Sequence, residues 1–398
     1  MLFITVPRTW YILAGLLIII LNICFGSSMV CLNAFLPVLV RNYAYDSAGL
    51  FNSKIFGLSS VQSESPELDA ENMESATLMK PIHSNLPDSY AAQLNLSSHI
   101  SSQGIAIGLV SGIILQLICI PLTISTGSGT SSLQYAVFVS GLWWFIFTIP
   151  SMRWLKSRPG PPLPTFYKDK LLLLQYIQYG WQSLFDTIKE TARLKDVIIF
   201  LVSWALLSDA HITISSSAIL FAKTDLHIKP AGLIVIGMLS TLSGIVGAFT
   251  WSRYISPKFH LSPDSAIRLI VALSCLIPAY GLLGFIPLCR QIGFGGLINP
   301  IEIYFLALVY GFLNGALQGY TRAMFGSLIP AGRESGFFAL YAITDKGSAM
   351  FGPVMVGIII DKTHEIRWAF LLLLVMLGLS LLVMTFVNTQ RGRQAARQ

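Results

Sequence analysis

The sequence predicts an all-α, polytopic membrane protein with nine spans, grouped as three followed by six. Three observations lead there. Of 398 residues, 54% are hydrophobic and only 11% are charged, with a mean hydropathy of +0.67. A soluble protein of this length needs far more charge to cover its surface. Apolar stretches of spanning length recur along the chain, and backbone in lipid must satisfy its own polar groups, so helices are the default. Basic residues lie along loops and ends, as membrane topology requires. The formal net charge of +7 therefore does not point to nucleic acid, and no reader motif is present.

Residues 10–32 form the first stretch, with the apolar run continuing to 40. It is too long for a signal peptide and lacks a small-residue cleavage site, so it reads as a retained span. Residues 41–102 are rich in Ser, Asn and acids (Glu64, Glu67, Asp69, Glu71, Glu74) and read as a largely disordered loop. Residues 104–125 and 133–152 are the next two spans. Trp143, Trp144, Phe147 and Trp154 cluster at the end of the latter, as an interfacial aromatic belt rather than a ligand cage.

A basic linker, residues 153–196, carries the run PGPPLP at 159–164. Within it Ile177, Trp181, Leu184, Phe185 and Ile188 recur at helical spacing, which predicts an amphipathic helix on the membrane surface. Six more spans follow, at 197–222, 231–251, 266–288, 301–328, 337–360 and 368–387. The domain reading is a helical half over 1–152, the linker, a six-helix half over 197–390 and a basic tail over 391–398.

Counting Lys and Arg sets the orientation. Alternating from the basic linker leaves only Arg8, Lys223, Lys229, Arg290, Lys346, Lys362 and Arg367 on the far side, so 19 of 26 share the linker's side. That side, with the long loops and the tail, is expected to be cytosolic. The sequon Asn95-Leu96-Ser97 then faces the cytosol and should stay unmodified. The five cysteines, 24, 31, 119, 275 and 289, lie in or beside spans without the paired spacing of a metal or redox motif.

Three spans repeat small residues every fourth position, which lets helix backbones approach closely in lipid. They are Gly104, Gly108 and Gly112; Ser240, Gly244 and Ala248; and Gly311, Gly315 and Gly319. Each stripe is either plain packing or a gliding surface between halves that rock.

The span LIPAGRESGFFALYAITDKGSAMFGPVMVGIIID, 328–361, is the most informative. Arg333, Glu334, Asp345, Lys346 and Asp361 lie in or beside it, and Gly352-Pro353 falls partway along. Charge within a span is costly and faces protein or water, and interrupted helices are a common ingredient of secondary transporters. Asp209 lies halfway along its own span, near Ser208, His211 and Thr213. Arg322 stands one turn beyond Gln318 and two beyond Asn314, within reach of Asp345 across a short connection. Asp345 and Lys346, being adjacent, are expected to diverge around the helix toward different neighbours.

Two readings of these charges stand open. Arg322–Asp345 and Asp209–Lys346 are latches between helices, or the residues line a solute path. In the second, Gln318, Arg322, Asp345 and Lys346 bind a zwitterion, and Asp209 or Asp345 carries a proton, with His211 a weaker candidate. No phosphate loop, HExxH pattern or GxSxG elbow is present, so no enzyme is expected and no cofactor or metal is invoked.

Five runs carry a resemblance: CFGSSMVCLNAFLPVLVR, ISSQGIAIGLVSGI, LWWFIFTIPSMRWLKSRPGPPLP, WALLSDAHITISSSAILFAKTDL and IPAGRESGFFALYAITDKGSAMFGPVMVGIIID. In these the chain resembles the fungal autophagy-related protein 22 family, vacuolar effluxers of the major facilitator superfamily. The resemblance implies a major-facilitator-like bundle in the vacuole membrane. It also implies efflux of amino acids, such as leucine and other large neutral ones, to the cytosol during autophagy by alternating access. It makes 153–196 the link between two halves, and sets the Gly104–Gly112 stripe against the Ser240–Ala248 stripe. The family pattern has about three further spans before CFGSSMVCLNAFLP, which this chain is expected to lack. The partners implied are small-molecule amino acids and the lipid bilayer, without nucleic acid; protein partners are not specified. The alternative is a non-transporting membrane remnant or assembly partner.

Overall fold

The computed structural model describes residues 11–55, 86–125, 130–154, 172–228, 230–330 and 332–397, and among them every regular element is helical. Among the described residues nine helical segments are long and apolar enough to cross a membrane. They coincide with the nine apolar stretches of the sequence. Three come first: α1 (Tyr11–Ile55), α2 (Leu86–Ser125) and α3 (Thr130–Trp154). Helix α4 (Leu172–Thr191) follows and is the predicted amphipathic helix. Next come α5 (Lys195–Thr224) and α6 (Pro230–Thr250), which runs through a π-helical turn, Trp251–Ile255, into the short α7 (Ser256–Lys258). Then α8 (Pro263–Leu282), the short α9 (Pro287–Ile292), and α10 (Pro300–Leu328) lead to α11 (Glu334–Ser348) and α12 (Phe351–Thr363), two halves of one span. Helices α13 (Trp368–Thr385) and α14 (Thr389–Arg397) end the chain.

The loop expected over 41–102 is shorter than its composition suggests. Helix α1 carries on to Ile55, since each added residue closes one more hydrogen bond, and α2 already begins at Leu86. Residues 56–85 and the proline run 159–164 lie outside the described residues. The serines at 97, 98, 101 and 102, read as loop, are buried. They are the packing face of α2: Ser102 meets α10 at Gly319, where an added Cβ would collide with its side chain.

Helix α10 is the centre of the bundle, packed by α2, α5, α6 and α8. Against α6 the backbones touch. A Cβ at Gly311 would run into the Ser240 carbonyl, and one at Gly315 into the Gly244 carbonyl. The Gly104–Gly108–Gly112 stripe does not do this. A Cβ at any of the three meets nothing within 4 Å, so this face of α2 looks away from the Ser240–Ala248 stripe, not onto it. The reason is rotational: Ser98, Ser102 and Ala106 share the α2 face that meets α10 and α6, and the glycines lie on another.

Polar contacts fix the remaining neighbours. Ser203 on α5 and Ser380 on α13, both buried, donate to each other's carbonyl oxygens at 3.0 and 2.9 Å. Glu302 caps its own helix and gathers four donors: the Tyr280 hydroxyl and the amides of Gly295, Leu297 and Asn299. Asp196, 3% exposed, holds Arg391 of α14 through two hydrogen bonds of 2.8 Å and accepts the Asn388 amide at 2.9 Å. That bond to Asp196 raises the Arg391 pKa above its ordinary value. Gly392 completes the contact, since a Cβ there would stand 2.7 Å from Leu328 and 2.9 Å from Asp196.

The aromatic belt is exposed as expected: Trp144 43%, Phe147 56% and Trp154 81%. Trp143 differs, because its Nε1 donates to Ser111 of α2 at 3.0 Å and ties α3 to its neighbour.

Candidate functional site

The span Glu334–Thr363 is interrupted at Ala349 and Met350, halfway along its length. Met350 caps α12 through no side chain of its own, and a broken helix leaves orphan N–H groups at the restart. Within a membrane such donors need a partner from elsewhere in the protein. Asp209 supplies it. Both carboxylate oxygens accept the Gly352 N–H, at 3.0 and 2.9 Å, and the Thr213 hydroxyl donates to Oδ1 at 3.5 Å. The packing is tight, because a Cβ at Gly352 would collide with Thr213 Oγ1 and stand 2.9 Å from Asp209 Oδ1. Asp209 lies 14 residues into α5, which at ~1.5 Å per residue is about 21 Å from its start. The carboxylate is thus at mid-depth, at the positive end of a half-helix.

The neighbouring residue extends the site. Ser208 donates to Asp345 Oδ1, and Asp345 Oδ2 pairs with Lys346 Nζ at 3.0 Å. Two expectations are corrected here. Lys346 turns to its neighbour Asp345, not away from it, because a four-carbon stem can reach back past the helix surface. Among the described residues no ion pair joins Asp209 to Lys346 or Arg322 to Asp345. The Asp209 acceptors are taken by backbone, and Tyr341 stands in the electrostatic reach of both Arg322 and Asp345. Tyr341 stacks on Trp204 with ring centroids 4.9 Å apart, an aromatic pair that the sequence reading did not single out.

The other predicted residues are spread along α5 and α10. His211 is buried, and neither ring nitrogen has a hydrogen-bond partner among the described residues. Its ring lies against Tyr310, with centroids 5.7 Å apart, while the Tyr310 hydroxyl donates to the His211 carbonyl at 3.0 Å. Arg322 is half-buried beside Tyr341, and Gln318 is exposed. Asn314 and Tyr310 line a cavity of about 320 Å³ together with Ser215, Ser240, Ile236 and Phe370. A larger cavity, about 880 Å³ and polar, lies where α14 begins, lined by His99, His260, Arg268 and Arg391 among others.

The structure therefore brings Asp209, Asp345 and Lys346 to one place, the helix break. It leaves His211 in the core two residues along, about half a turn away on α5, and sets Gln318 and Arg322 on a separate helix. An anion, a cation and an interrupted backbone at one depth can hold a molecule carrying both charges. Tyr341 and Trp204 add a flat apolar wall.

The comparisons agree across the chain. The family model described as "Vacuole effluxer Atg22 like" matches residues 1–397. Among curated proteins, "Autophagy-related protein 22-1" of Neosartorya fischeri is 43% identical over 417 residues, covering 100% of this chain and 68% of the relative. "Autophagy-related protein 22-1" of Aspergillus niger is 42% identical over 410 residues, covering 100% and 66%. "Autophagy-related protein 22" of Neurospora crassa is 44% identical over 410 residues, covering 99% and 55%. The chain thus spans between about half and about two thirds of the length of these relatives.

Proposed function

The chain belongs to the Atg22-like family of vacuole effluxers, and from that premise we propose that it carries amino acids from the vacuole to the cytosol, large neutral ones such as leucine among them. The observation that carries this reading is the interrupted span, with Asp209, Asp345 and Lys346 gathered at the break. A zwitterion presents its carboxylate to Lys346 and Arg322 and its ammonium to Asp345. Asp345 exchanges Lys346 and Ser208 for the incoming group.

In this reading the basic linker, the long loops and α14 face the cytosol, where 19 of 26 Lys and Arg residues are placed. Asp209 or Asp345 is the proton carrier, so that downhill proton flow from an acidic lumen drives export. Alternating access pivots α11 and α12 about the break while α10 stays fixed on α6. An interrupted span whose restart is anchored on the Asp209 carboxylate is the element suited to move.

The test is flux. The purified chain, reconstituted with radiolabelled leucine inside acidic liposomes, is expected to release it saturably and faster than protein-free vesicles. A helical, monodisperse preparation that moves none of the twenty amino acids would leave a non-transporting membrane protein instead.

A further inference from the structure

Helix α4 presents three different sides. Thr187 and Thr191 are 5% and 4% exposed, and Thr187 rests on α11, 2.9 Å from where a Cβ on Gly336 would stand. Beside them Glu190 pairs with Arg333, just ahead of α11, at 3.1 Å. Gln182, Asp186 and Lys189 form a polar, exposed side. Between these lies a third, apolar side. Ile177, Trp181, Phe185 and Ile188 are 48, 59, 56 and 41% exposed, with Trp181 and Phe185 rings 6.4 Å apart. At 100° per residue the four fall within about a quarter of the helix circumference.

Something apolar must cover that side, and its setting says what. Helix α4 lies between the end of one span, Trp154, and the start of another, Lys195, and it is fastened to the beginning of a third, α11. It is therefore held at the level where spans leave the bilayer. The exposed Trp154, at the end of α3, is an interfacial anchor of the same kind. Lys156, Arg158, Lys168, Lys170, Lys189 and Arg193 flank or belong to the helix, matching the charge of anionic headgroups.

We propose that α4 docks on an anionic lipid leaflet, with Ile177, Trp181, Phe185 and Ile188 in the headgroup–acyl boundary. Glu190–Arg333 and the Thr187–Gly336 contact then transmit its position to α11. The leaflet is thereby linked mechanically to the interrupted span. A helix with one aromatic side and basic flanks has the composition of an interfacial helix. The fastening to α11 separates it from a simple anchor.

The full chain in liposomes tests both parts without measuring transport, so the outcome is independent of the efflux reading. A benzophenone amino acid replaces Phe185, or Gln182 as the polar-side control. Irradiation is expected to give phospholipid adducts at 185 but not at 182, several-fold more with phosphatidylserine present than with phosphatidylcholine alone. Adducts at 185 to another segment or a second copy, no adduct, or equal yields in the two lipids would overturn the docking. For the link, hydrogen exchange over residues 334–348 is expected to slow when phosphatidylserine is added, and Glu190→Gln is expected to weaken the response several-fold. Exchange in α11 that ignores the lipid, or a response that Glu190→Gln leaves at full size, would overturn it.

Discussion

Asp209 closes the N-terminus of α12: its two carboxylate oxygens take the Gly352 N–H, 143 residues away in sequence. One side chain on α5 thus supplies an acceptor that the broken span lacks, which stabilises the break in lipid. Removing the acceptor leaves a buried donor unpaired, which costs about 1–3 kcal/mol. Asp209→Ala is therefore expected to lower the melting temperature in detergent. Asp209→Asn keeps an acceptor oxygen and should fold like the parent, yet lose proton-driven flux. An Asn variant with full pH-driven flux would remove Asp209 from the proton role.

Protein covers the Asp345–Lys346 pair only in part, with the lysine side chain 72% exposed and the carboxylate 21%. Exposed pairs contribute roughly 0–1 kcal/mol, so Lys346→Gln should leave the melting temperature within a degree or two. If the pair receives the substrate, the same variant raises KM for leucine at least several-fold. Unchanged KM would make it a surface contact.

Close packing predicts opposite fates for two glycine stripes. Gly315→Val forces a branched side chain against the Gly244 backbone on α6, and overpacking costs roughly 1–3 kcal/mol or more where backbone must move. Poor yield and a lower melting temperature are expected. Gly108→Val has open space around it and should express normally. Its flux is then informative, because a folded but inactive Gly108→Val would mark this face as a gliding surface.

The Ser203–Ser380 exchange fits a double-mutant cycle. Interhelical hydrogen bonds in membranes average about 0.6 kcal/mol, and this pair makes two. A coupling of about 1 kcal/mol between Ser203→Ala and Ser380→Ala is expected in chemical unfolding. Additive effects would mean that each hydroxyl bonds its own helix instead.

Glycosidase treatment should leave the mobility of the protein unchanged when it is expressed in a fungal host. The sequon Asn95–Ser97 sits inside α2 with Asn95 exposed, so it is the proposed cytosolic placement that keeps it from modification. A shift in mobility would overturn the orientation.

Hydropathy alone made the nine spans legible, because lipid leaves the chain few other solutions. The break at Ala349 was visible through Gly352-Pro353 and the charges before it. The partners of those charges were not visible. Asp209 is answered by a backbone amide, which every residue type but proline offers, so no side chain announced it. Pairing Arg322 with Asp345 from spacing overlooked Tyr341, whose ring packs on both Trp204 of α5 and Phe325 of α10. Three glycine stripes look alike in sequence. Which of them touches a neighbour depends on helix rotation, and the serine-rich start of α2 hid the face that does.

The docking of α14 reaches beyond the bundle. Asp196 is almost fully enclosed, and Asn388, Arg391 and Gly392, which enclose it, lie some 192 residues further along the chain or more. Until they are made, the chain carries a naked carboxylate at the root of α5. A stop codon just ahead of Asn388 would therefore keep α5 to α13 yet leave a permanent mark of unfinished synthesis, the kind of defect that membrane quality control removes.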